Sequence, residues 1–217
     1  MCKEKTLDEL FENWKKHHSK ESEDSCKKTF PKMPQRYEGI GFGKDFKNNW
    51  TIDGYLNDKG SCKILFILKE SNIEELADKH FVTQESVFWL KTVRDKYRKK
   101  IPRRLKKLTA KLLGDEYSSN WYDYAATLNI NKRGGFRKCT FYNLMEYAKE
   151  YSKEINSQIE IINPEKIVFL GREFYDNKDK LLDIITECKG RELHFYAHPS
   201  TTGRKNSFND EKFLKEY

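Results

Sequence analysis

The sequence predicts an α/β protein, a three-layer α/β/α arrangement around a central, mainly parallel four-stranded sheet. Two observations carry this. Four short apolar runs, at residues 63–68, 124–130, 166–170 and 192–197, have the length and β-branched or aromatic content of buried strands. Helical patterns separate them, at roughly 85–113, 141–162 and 174–188. Strands that alternate with helices pair in parallel, and the helices cover both faces of the sheet. Ligands of such sheets bind at the carboxyl ends of the strands.

Ahead of the first strand, Leu7, Leu10, Phe11 and Trp14 recur at helical spacing and predict an amphipathic helix over 7–18. Residues 19–25 are polar, and Pro31 and Pro34 disfavour regular structure beyond them. Gly39, Gly41 and Gly43 alternate, but no strand precedes them and no Gly-Lys-Ser/Thr follows, so no phosphate loop is assigned. Residues 1–49 therefore form a helical and irregular extension, and 50–217 the α/β domain. Within the long pattern at 85–113, Pro102 is expected to separate two helices.

Apolar residues make up 37% of the chain and aromatics 14%, enough for a core despite 35% charged residues, so general disorder is excluded. The strongest apolar runs are strand-sized, which disfavours a membrane span, and the charged N-terminus is unlike a secretory signal. A cytoplasmic protein is expected. The five cysteines show no paired metal-knuckle spacing and are read as free thiols, with no metal or cofactor. Between residues 91 and 111 eleven lysines and arginines, Lys99 and Arg103 among them, face only Asp95, a net of +10 in a chain whose total is +8. Such a block fits a polyphosphate partner such as DNA, or equally a solvated face.

The strand ends hold the candidate chemistry. Glu70 follows the first strand, where an apolar floor limits screening of a carboxylate; equally, Ser71 or Asn72 could cap a helix over 73–77. Asn129 ends the second strand and offers an amide that can read a base edge or bond a loop. His198 ends the fourth, held extended by Pro199; it can donate to a developing anion or satisfy a buried carbonyl.

Taken together, these elements resemble the uracil-DNA glycosylase superfamily over roughly residues 61–208. The resemblance lies in Ile64-Leu65-Phe66-Ile67-Leu68-Lys69-Glu70, in Leu128-Asn129, in the helix–strand unit from Gln158-Ile159 through Pro164 to Leu170-Gly171, and in His198-Pro199-Ser200. The first motif departs from the family, lacking its glycine ahead of the acid and its proline after it. Arg133 stands where the iron–sulfur branches carry a cysteine, and Thr201 and Thr202 stand where a wedge leucine often follows, leaving Arg204 or Phe208 for that place.

The resemblance implies a uracil-DNA glycosylase-like fold and a monomeric, monofunctional enzyme that flips a base from DNA and hydrolyses its glycosidic bond. Glu70 would stabilise the sugar cation and orient water, and His198 would donate to the departing base. Asn129 would read the base edge, Phe81 would stack on it, and Asn72 would shape the pocket. Ser71 and Asn72 are small and polar where uracil-specific relatives carry a bulky residue, so a 5-modified pyrimidine is expected to fit as well as uracil. That allows either DNA repair or defence against modified phage DNA. Lys132, Arg133, Ser200, Arg204, Lys99 and Arg103 would hold the phosphate backbone. The alternative is a catalytically inactive DNA- or nucleotide-binding module on the same fold.

Overall fold

The computed structural model describes residues 6–18, 62–72, 100–135, 140–201 and 210–217; for 8, 15, 18, 70–72, 102, 122 and 132–135 it describes the main chain. Four strands form one sheet: β1 (Ile64–Asn72), β2 (Ala125–Gly135), β3 (Lys166–Leu170) and β4 (Glu192–Tyr196). Their spatial order is β2-β1-β3-β4, and every neighbouring pair is parallel. All four carboxyl ends therefore lie along one edge, as the alternation of strands and helices requires.

Side-chain alternation divides the sheet into two apolar faces. On one face Leu65, Ile67, Leu128, Ile167 and Phe169 pack against helices α1 (Leu7–His18), α3 (Phe141–Glu150) and α4 (Ser152–Ile162). The short helices α5 (Arg172–Asp176) and α6 (Lys178–Ile184) join them through Phe174 and Leu181. On the other face Ile64, Phe66, Leu68, Val168, Leu170 and Tyr196 meet Leu105 and Leu108 of α2 (Lys100–Leu113), together with Trp121 and Phe213. Phe213 ends the C-terminal turn of helix α7 (Asp210–Phe213). Helices thus cover both faces, and the predicted α/β/α layering is present.

The N-terminal helix spans the predicted residues and belongs to the first core. Leu7, Leu10 and Trp14 are almost fully buried, and the Trp14 ring stacks on Tyr151 at 6.1 Å. In α2, Pro102 is the third residue, within the first turn, where a missing N–H breaks no intrahelical bond. The stretch 85–99 that was to precede it lies outside the described residues. The pattern predicted over 141–162 is two helices, interrupted at Tyr151, whose ring is buried against Tyr147 at 4.6 Å as well as Trp14. Cys62 and Cys188 are free and buried, and burial pushes both thiols up to about 12, as fits unreactive core residues.

Two strands are longer than their apolar runs. β1 continues through Asn72 and β2 through Gly135, paired to each other at Glu70↔Asn131, Ser71↔Gly134 and Asn72↔Gly135 with an irregularity between Glu70 and Ser71. Pairing of β1 with β3 reaches Ile67↔Phe169, so beyond that point β1 and β2 run on as a two-stranded ribbon. Residues 131–135, beyond the predicted run at 124–130, are consequently strand, and Ser71 and Asn72 lie within β1; the helix expected over 73–77 lies outside the described residues. Hydrophobic patterning marks where strands are buried; main-chain pairing continues wherever a neighbouring strand supplies partners.

Candidate active site at the carboxyl edge

His198 follows β4 within a turn that the sequence specifies. The Thr201 N–H donates to the His198 carbonyl at 2.9 Å, placing Pro199 at the first central position of the turn, where its fixed φ is favoured. The Ser200 main-chain N–H lies 3.3 Å from His198 Nδ1, and Ser200 Oγ lies 2.7 Å from the same nitrogen. A main-chain amide can only donate, so Nδ1 accepts, and the neutral ring carries its proton on Nε2. Ser200, expected on a DNA phosphate, contacts this ring through both its hydroxyl and its main-chain N–H.

Burial is the chief cause that lowers the His198 pKa, to about 4; Lys69 lowers it further, and Glu173 opposes both. The imidazole is therefore neutral at physiological pH, with Nε2–H as a hydrogen-bond donor. Lys69, the last described side chain of β1, donates to Glu173 at 2.8 Å. Burial works to raise the Glu173 pKa, but the Lys69 hydrogen bond and charge hold it below the ordinary carboxylate value. Gly171 separates β3 from this glutamate with φ +153°, a conformation that favours glycine, and a Cβ there would meet Glu173 Oε2 at 3.3 Å and Lys69 Cε at 3.4 Å. The packed Lys69–Glu173 pair thus abuts the end of β3.

On the far side of β1, Asn129 is half-buried and Asn131 is 1% exposed. The main chain of Glu70 sits opposite Asn131, one step past the Leu68↔Asn129 pair. Across the edge the order is Asn129 and Asn131 on β2, Glu70 on β1, Gly171 after β3 and His198 after β4. With strands about 4.8 Å apart, His198 stands roughly 10 Å from the line of β1. A half-buried amide, a carboxylate-bearing strand and a neutral imidazole donor thus share one edge. Phe81, Lys99, Arg204 and Phe208 lie outside the described residues, and Asn72, Lys132 and Arg133, all within strands, are described in main chain only.

The basic block is partly committed within the fold. Arg103, Arg104 and Lys107 all meet the Asp210 carboxylate, at 3.2, 3.2 and 2.8 Å. Lys107 is the largest of the influences that draw the Asp210 pKa down to about 2. Lys111 donates to the Leu214 carbonyl at 2.6 Å and lies over the Tyr196 ring. Arg103, expected on DNA, is half exposed and meets Asp210 through Nη2.

Sequence reasoning passed over two residues with available signals. Asn131 continues the alternation Thr127, Asn129 along the β2 ladder. Arg104 lies three residues after Ile101 and four before Leu108, on the apolar stripe of α2, and it is 1% exposed. Among the described residues no group of histidines, cysteines and carboxylates could hold a metal ion, and no helix is long and apolar enough to cross a membrane.

The acid behaviour of the edge follows from these shifts. A histidine whose folded pKa lies below its unfolded value near 6.5 binds its proton more readily when unfolded. Stability is therefore lost as pH falls from about 6.5 to about 4. Asp210, depressed to about 2, adds stability that is lost only below its ordinary value of 3.8. Urea denaturation between pH 7 and pH 4 is expected to show a decline that His198→Gln flattens; equal declines in both proteins would refute the buried neutral imidazole.

No family model matches the chain, and no curated protein compared with it does so either.

Proposed function

We propose that this chain is a DNA glycosylase, a cytoplasmic monomer that extrudes a uracil or modified pyrimidine from DNA and hydrolyses its N-glycosidic bond. The observation that carries the reading is His198, neutral and half-buried, with Nδ1 occupied by Ser200 and Nε2–H left to donate. Cleavage leaves negative charge on the departing base and positive character on the sugar. A fixed neutral donor stabilises the former without having to lose a proton. Glu70, on the strand between the asparagines and Gly171, supplies the carboxylate that stabilises the sugar and orients the attacking water. Asn129 reads the base edge, and an amide can present either its donor or its acceptor side. Water adds to the sugar carbon as its proton passes to Glu70, the glycosidic bond breaks with its electron pair on the base, and the base anion takes a proton from solvent, to which Glu70 returns its own.

The reading is tested by incubating the protein, with EDTA present, with oligonucleotides that carry uracil or 5-modified cytosines, followed by alkali. Strand breaks that appear only after alkali report abasic sites and identify the base. DNA retained without abasic sites on any substrate would refute the glycosidase and leave a binding module.

A further inference from the structure

We propose that Arg104 is a positioning residue for His198, its buried guanidinium fixing the turn from which Ser200 holds the imidazole. Nη1 of Arg104 donates to the Pro199 carbonyl at 3.0 Å and to the Thr201 carbonyl at 2.9 Å, the two carbonyls that bracket Ser200. Its Nε donates to Asp210 at 3.2 Å, and the guanidinium lies 5.1 Å from the centre of the Phe213 ring.

A guanidinium stays ionised in a protein, and burying it is costly unless its donors are met in a fixed geometry. Here the geometry spans two separate segments, the 198–201 turn and the C-terminal turn that begins at Asp210, and anchors both to α2. The main chain of the turn is closed by the hydrogen bond from Thr201 N–H to the His198 carbonyl. Both contacts to His198 Nδ1 come from Ser200, which sits between the carbonyls that Arg104 holds. Rotation of the 199–200 peptide, which carries both the Pro199 carbonyl and the Ser200 N–H, would break an Arg104 bond and withdraw the amide from Nδ1 together. Arg104 touches no substrate in this account; it selects which nitrogen of His198 carries the proton. The inference rests on the assignment of His198 as the donor to the leaving base.

Two-bond ¹H–¹⁵N spectra of the histidine rings test it without DNA. In the wild type at pH 7 the His198 ring is expected as the Nε2–H form alone. In Arg104→Lys the buried charge remains, but one ammonium cannot serve both carbonyls and the carboxylate in the same planar geometry. The His198 signals are expected to move toward a mixture of tautomers, while those of His17 and His194 stay in place and report an intact fold. With a cleavable oligonucleotide, kcat is expected to fall on the order of 10²-fold with a much smaller change in KM, as for a misplaced catalytic group. A folded Arg104→Lys protein with an unmoved His198 ring overturns the inference. Should that variant not fold, Asp210→Asn removes the carboxylate on Nε while keeping the arginine, and a smaller movement of the His198 signals is expected. An unmoved ring there overturns the inference equally. A moved ring in a protein whose wild type makes no abasic sites refutes the glycosidase and leaves the positioning role standing.

Discussion

His198→Ala is expected to lower the rate of abasic-site formation on the order of 10²–10³-fold while the protein stays folded and still binds DNA. The side chain bonds only Ser200 among the described residues, so its removal costs little structure. What disappears is the Nε2–H donor that the Ser200 contacts to Nδ1 leave on the ring, and such donors act on the transition state more than on the bound substrate. The loss should therefore fall on kcat, with KM nearly unchanged. His198→Gln, which restores an N–H donor without the fixed ring, is expected to recover a part of the rate. Glu70→Gln should lose a comparable factor, because an amide neither stabilises a sugar cation nor accepts a proton from water. Single-turnover assays on the substrate identified by the alkali test measure all three. An unchanged rate in His198→Ala would remove the residue from the mechanism.

Trp14→Ala is expected to cost about 3–5 kcal/mol, because a fully buried indole leaves a cavity that its neighbours fill only in part. For a domain of this size that amounts to a Tm lower by roughly 6–20 °C, taking about 2–4 °C per kcal/mol. Trp14 stacks on Tyr151 and belongs to the same core as Leu65 and Phe169 of the central strands. Its loss therefore acts on the sheet, and the N-terminal helix is part of the folded unit. Glu12→Ala, two residues away on the exposed side of the same helix, serves as the control and is expected to leave Tm within about 1 °C. Equal Tm values for the two variants would show that the helix is dispensable.

The layering was legible because apolar periodicity reports burial, and burial is what the two faces of this sheet impose. Lys166–Leu170 was read to the residue because its apolar run stops with the strand, and the helix at 7–18 because its stripe starts at Leu7 and no glycine or proline interrupts the polar turn after Trp14. The same logic ended β1 at Leu68 and β2 at Ile130, since the ribbon beyond them is built from Glu70, Asn131 and Gly134, which pair through the main chain. At the candidate site, His198 could be picked out from its place before a proline, but its protonation could not. That depends on the Ser200 amide, on burial and on Lys69 two strands away, which no linear spacing encodes. Arg103 and Arg104 are neighbours in one basic run and look interchangeable in sequence. A helical turn of 100° separates an exposed side chain from a buried one.

The convergence of three cations on Asp210 also changes what a salt titration of nucleic-acid binding would count. Free lysines and arginines hold no specific anion, so a phosphate that meets them sheds its condensed counterions at little cost to the protein. Arg103 and Lys107 already hold a carboxylate. Whichever of them stays on Asp210 meets no phosphate and displaces no counterion from the nucleic acid. The dependence of log K on log salt will therefore register fewer ions than the basic residues of this helix number, and the shortfall measures how many of them remain on Asp210.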